Sequence, residues 1–127
     1  MNNIKNSAQL ELLLDISLPD DYINFIDEVG YLTLENISME VYGYKPDFDF
    51  QKLPCVIAAQ ELYQESYKLK AEELVISDTG YEGFMVVLDV LSGNVFEVNF
   101  IGEKNALATS FSEWLESLIL ENESAAE

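Results

Sequence analysis

The segment from Leu18 to Tyr31, LPDDYINFIDEVGY, specifies one short helix completely: its start, its buried face and its stop. Pro19 suits a first helical turn, where its missing N–H goes unused, and Asp20 and Asp21 set negative charge at the positive end of the helix dipole. Tyr22, Phe25, Ile26 and Val29 repeat at i, i+3, i+4 and i+7, a single apolar stripe. Gly30 then ends the helix, because glycine takes the left-handed backbone that a helix terminus often needs.

The flanking residues supply partners for that stripe. Leu10, Leu13 and Leu14 at helical spacing predict a leading helix from Ser7 to Leu14, with Ser7 as its cap. After Gly30 the chain turns β-branched and aromatic, and residues 31–34 and 37–42 read as two strands joined by Glu35 and Asn36. Residues 43–53 mix glycine, proline and aspartate with aromatics, the pattern of an ordered loop with exposed rings. Pro54 opens a further helix to about Leu69. Leu74 to Ser77 and Phe84 to Asp89 are strands joined by a turn, the latter apolar on both faces and therefore central. Val95 to Phe100 alternates, which puts Phe96, Val98 and Phe100 on the core side. Ser110 and Glu113 form a capping box that starts a last helix, with Phe111, Trp114, Leu115 and Leu118 as its stripe.

The fold class is therefore α+β: one domain over residues 1–127, with an antiparallel or mixed sheet of about five strands packed with three to four helices. Residues 1–6 and 121–127 hold too little apolar content to pack and are expected to fray. At 127 residues and 49% hydrophobic content a sizeable core is expected, since a chain of this length buries roughly two thirds of its unfolded surface. No run approaches the ~18 apolar residues of a membrane span, and the N-terminus lacks the pattern of a secretory signal, so the protein reads as cytoplasmic with no membrane partner.

With one cysteine and no histidine, intrachain disulfides, Cys/His zinc sites, and Ser-His-Asp or Cys-His catalysis are excluded. Cys55, between Pro54 and Val56, reads as a small buried thiol. Asp47 with Asp49, and Asp78 with Glu82, have spacings open to Mg²⁺, Ca²⁺ or paired-carboxylate chemistry, but 24 acids in 127 residues generate such spacings readily by chance. No cofactor and no metal are expected.

Charge is the other strong constraint. The 24 acidic residues face six lysines and no arginine, for a net charge of −18 and a pI near 4.1. Such a surface repels nucleic acid and anionic membranes. It serves solubility, and it also suits a cationic partner. For binding, Tyr42, Tyr44, Asp47 and Asp49 combine amphipathic rings with charge, as interfaces do; core packing is an equal reading for Tyr42 and Phe48. Glu61 and Glu65, one turn apart on the middle helix, and Asp78, Tyr81 and Glu82 around the following turn complete the candidate set.

Five fragments in order resemble the SUKH superfamily: Leu18-Pro19-Asp20-Asp21-Tyr22 with Phe25 and Gly30-Tyr31, then Val41-Tyr42-Gly43-Tyr44, then Val56-Ile57 opening a helix, then Leu88-Asp89, then Ser92-Gly93. A Ser-Phe helix start with Trp114 and Leu115 is similar as well, and the resemblance spans about Leu18 to Leu118. It implies an α+β domain found in bacteria chiefly as an immunity protein, which binds and neutralises a polymorphic toxin without catalysis. Many such toxins are nucleases, whose basic clefts suit a partner of charge −18. A regulatory or scaffold module of the same fold, and more remotely a carboxylate-dependent enzyme, are the alternatives.

Overall fold

The helix written into residues 18–31 forms as α2 (Asp20–Glu28) in a computed structural model that describes residues 4–81 and 83–126. Pro19 is its N-cap, and Gly30, at φ 90°, donates its N–H back to Phe25 O at 2.9 Å. Before it lies α1 (Asn6–Leu14); after it come β1 (Leu32–Leu34), a 3-10 turn (Glu35–Ile37) and β2 (Met39–Val41). A long loop leads to α3 (Val56–Tyr63), then β3 (Glu73–Asp78), β4 (Phe84–Asp89), β5 (Val95–Asn99), β6 (Lys104–Ala108) and α4 (Phe111–Ala125). The strands form one antiparallel sheet in the order β1-β2-β3-β4-β5-β6.

Facing residues of a ladder share a side of the sheet. Val41, Ser77, Val86, Glu97 and Asn105 thus make one row, and Val75, Val87, Phe96 and Ala106 a row on the opposite side. β3 and β4, in the middle, are buried on both sides, as their uninterrupted apolar runs require. Trp114 and Leu118 of α4 lie over the Glu97 side, where they line one groove with Met39 and Leu107.

At the centre of the core, Tyr22 and Phe25 of α2 meet Phe111 of α4, with ring centroids 4.9 and 5.2 Å apart. Burial of such rings contributes about 1.5–3 kcal/mol each, and the edge-on pairing adds ~1 kcal/mol. The Tyr22 hydroxyl donates to Tyr42 O at 2.8 Å, which carries α2 onto the end of β2.

Two carboxylates of α2 also cap its neighbours. Asp27 accepts the Ser7 N–H (2.9 Å) and hydroxyl (2.8 Å) at the start of α1, and Asp21 accepts the Ser112 N–H (2.9 Å) at the start of α4. Ser7 is therefore a buried donor to α2; the N-cap position of α1 falls at Lys5. Ser110 does cap α4, its Oγ accepting the Glu113 N–H at 3.1 Å, while the Glu113 carboxylate accepts from Thr109.

Several expectations are corrected. The middle helix stops at Tyr63, because the chain leaves it in turns, with Lys68 at φ 55°, to bring Tyr67 and Leu69 inward. A sixth strand, β6, has no β-branched or aromatic residue to announce it. β5 keeps an unbroken register against β4 and is covered on both sides, so Val95 and Val98 are both buried, whereas Phe100, past the strand end, is exposed. Helix α4 continues to Ala125 where fraying from residue 121 was expected. Its last turns are held by Asn122, whose side chain accepts the Asn36 N–H (2.9 Å) and whose carbonyl accepts the Asn36 amide (3.0 Å).

Gln60 is the buried link between α3 and the sheet. Its side-chain amide donates to Glu73 O at 2.8 Å and its oxygen accepts the Val75 N–H at 2.9 Å, so it pairs the β3 backbone as a neighbouring strand would. Gln60→Leu leaves both backbone groups unpaired, and urea denaturation is expected to show a loss of about 2–4 kcal/mol with the fold retained. Wild-type stability in that variant would show that the pairing is not used.

Candidate functional site

The candidate residues divide among three regions. In the loop after β2, Tyr42 and Tyr44 are core residues, a correction to their reading as surface anchors. The Tyr44 hydroxyl donates to Gln9 Oε1 at 3.0 Å, and Phe50 packs on the Tyr44 ring at 5.7 Å. Phe48 meets Tyr31 edge-on at 5.4 Å. Phe48 and Phe50 are half-buried, and the exposed positions of the loop are Pro46, Asp47, Asp49, Gln51, Lys52 and Leu53. Asp49 fixes the next turn by accepting the Gln51 N–H at 2.9 Å.

The second region is the outer side of α3, where Glu61 is exposed and Glu65, in the turns beyond the helix, is exposed too. Glu61 borders a hollow of about 340 Å³ between α3 and the end of α1, floored by Leu13, Leu14 and Ile57.

The third region lies at one end of the sheet. Asp78 and Tyr81 line a cleft of about 320 Å³ with Tyr63, Tyr67, Gly83 and Phe84. Glu82 lies outside the described residues. Asp78 Oδ1 accepts the Gly80 N–H at 2.9 Å, and Thr79 ties the turn by accepting the Tyr81 N–H at 3.0 Å. On the far side of the cleft Phe100 stacks on Tyr67, centroids 4.7 Å apart, and a Cβ at Gly83 would fall 3.2 Å from the Phe100 ring.

Phe84, Phe100 and Ile101, beside the anticipated Tyr81, are what the sequence reading missed. Tyr81 is 75% exposed, Ile101 72%, Phe100 53% and Phe84 36%, and all four stand at this end of the sheet. The available signal was Gly102 right after Phe100-Ile101, which marks residues 99–103 as a turn and so denies those rings a place in a strand.

Burial governs the protonation chemistry. It pushes the phenols of Tyr22, Tyr42, Tyr44 and Tyr67 above their ordinary value; the smaller contributions come from Cys55 beside Tyr22 and Tyr44, from Tyr63, Asp78 and Glu40 around Tyr42, and from Asp78 and Tyr63 around Tyr67. Burial likewise raises the Cys55 thiol, although the N–H groups of Ile57 and Ala58 pull it back. Among the described residues no three of His, Cys, Asp or Glu gather as a metal site, and no helix is long and apolar enough to cross a membrane.

Residues 4–115 match the SUKH_6 family model, described as SMI1-KNR4 cell-wall. The chain belongs to the SUKH superfamily. In this SUKH domain the matched stretch begins just before α1 and reaches into α4, so it takes in the whole sheet. The fragments that carried the resemblance are scaffold parts: Leu18 to Tyr22 builds the start of α2, Val41 to Tyr44 the end of β2, and Ser92-Gly93 the β4–β5 turn. No curated protein matches the SUKH chain.

The raised phenols make the stability of this chain fall at alkaline pH. Below pH ~10 the folded and unfolded chains hold the same tyrosine protons; above it the unfolded chain releases protons that the folded one keeps, so stability falls as pH rises. Tyrosinate absorbance from the four buried rings is expected to appear together with loss of the circular dichroism signal. Their full ionisation in a chain that keeps its native spectrum would contradict the burial assigned to them.

Proposed function

We propose that the chain is an immunity-type protein of the bacterial cytoplasm that binds a basic protein toxin, most simply a nuclease, and neutralises it by occlusion and without catalysis. The observation that carries this reading is an acidity the protein itself leaves uncompensated. Of the six lysines, only Lys104 forms an ion pair among the described residues, and it does so with Glu73, a buried carboxylate that also accepts the Lys70 N–H. The exposed acids Asp47, Asp49, Glu61, Glu65 and Asp78 form no ion pair with a lysine among the described residues.

Solubility alone asks only for net charge away from zero, with both signs interspersed. A net charge of −18 goes further: it draws in a cationic partner at rates raised about 10- to 10³-fold at low salt, and it turns away nucleic acid. A nuclease must hold a phosphate backbone and so carries the complementary field. Membership of a superfamily in which immunity proteins are common supports the same reading.

The product of the neighbouring gene is the first partner to test. Co-expression is expected to abolish its toxicity, and the association rate of the purified pair is expected to fall steeply with added salt. A neighbour that is not bound, or a rescue that persists without binding, would overturn the proposal. The double change Asp47→Lys and Asp49→Lys is expected to slow association several-fold with no change in stability, since both side chains point outward; unchanged kinetics would take that loop out of the electrostatic path.

A further inference from the structure

Three hollows at one end of the sheet form one continuous surface. Gly80 and Tyr81 line both the groove of about 560 Å³ under α4 and the cleft against Tyr67, while Gly83 and Phe84 line both that cleft and a further hollow of about 420 Å³ beside Phe100 and Ile101. Rings and aliphatic groups make its floor: Trp114, Met39 and Leu107 in the groove, Tyr67, Phe84 and Phe100 beyond Tyr81. Its charged groups are all carboxylates. Asp78 lines the cleft, Glu97 and Glu121 the groove, and among the described residues no lysine lines any of the three. Asp78 commits one oxygen to Gly80 and has no cationic partner among the described residues.

That chemistry selects its occupant. Phosphate backbones and anionic headgroups meet carboxylates here, and a second copy of the chain would bring another −18 to the contact. An arginine or lysine side chain fits both halves of the surface: its methylene stem covers ring faces, and its head satisfies a carboxylate while lying over an aromatic π-cloud. We propose that this end of the sheet is the docking face for a basic protein, and that it receives an arginine or lysine whose stem lies along Phe84 and Phe100 and whose head meets Asp78. The inference rests on the reading of the chain as a binder of a cationic protein, and it adds to that reading the place and the side chain.

Two measurements test it. In the first, the isotope-labelled whole chain is titrated with N-acetyl-arginine amide and, separately, with N-acetyl-norleucine amide. The ring resonances of Tyr81, Phe84 and Phe100 are expected to shift with the arginine probe, much less with the uncharged one, and not in Asp78→Asn. Shifts spread over acidic residues elsewhere, or no shift at these rings, would overturn the proposal whatever the physiological partner is. In the second, affinity for the neighbouring gene's product is compared between the wild type and Tyr81→Ala, Phe100→Ala and Asp78→Asn, each checked for an unchanged spectrum. Losses of at least ~10-fold are expected for the truncated rings. A wild type that binds tightly while all three variants bind equally well would sink the docking face and leave the proposed function standing. Concentration-dependent dimerisation that Phe100→Ala abolishes would instead assign the face to self-association and overturn the proposal.

Discussion

Two helices and two strands of this fold meet at one backbone contact, the crossing of Gly43 over Gly30. A Cβ at Gly43 would fall 1.6 Å from the Gly30 carbonyl oxygen, so no other residue can sit there without the two segments parting. Through that crossing the end of α2 accepts the Tyr44 N–H at Gly30 O (3.0 Å), while Gly43 itself donates to Pro54 O (3.1 Å) and accepts the Val56 N–H (2.8 Å) at the start of α3. One residue further, the Tyr42 N–H reaches Ile76 O at 2.8 Å and the Tyr22 hydroxyl reaches Tyr42 O. Two helices, the loop and two strands are fixed relative to each other by backbone groups of three consecutive residues. The surrounding apolar packing then excludes water from those hydrogen bonds.

This crossing explains what could and could not be seen in the sequence. The helix start at Pro19, its stop at Gly30, the cap at Ser110 and the apolar runs of β3 and β4 are local instructions, and each is obeyed. What escaped are tertiary choices. Asp21 and Asp27 lie on α2 but serve the termini of other helices, and Asn122 is ordered by a residue 86 positions away. Gln60 looks like any helix glutamine until β3 lies beside it. β6 forms because β5 offers an edge, although its own residues have weak strand propensity.

The candidate site divides along the same line. Charge was legible: Asp47, Asp49, Glu61, Glu65 and Asp78 are exposed as their composition suggests. Which aromatics face water was not legible, because a ring's destination depends on what lies opposite it. Tyr42 and Tyr44 are drawn into the core around the Gly43 crossing, whereas Phe100, assigned to the core by alternation, falls just past the end of β5 and is exposed. The loop's own rings turn inward onto Tyr31 and Tyr44, while Asp47 and Asp49 stay exposed. A second, separate set of rings stands at the far turns of the sheet.

Taken together, a domain pinned by a backbone crossing offers one end of its sheet, aromatic in floor and acidic at its edge, within a surface whose charge is unmatched by its own lysines. In the proposed complex, long-range attraction is spread over the exposed acids, while the rings at this end of the sheet, with Asp78, anchor the partner. Hydrogen–deuterium exchange of the chain, free and bound to the neighbouring gene's product, tests this division directly. The account predicts slowed exchange in the turns that carry Tyr81 and Phe100, with little change at Gly43 and its partners, which are already protected. A stable complex in which those two turns exchange as fast as in the free chain would contradict it.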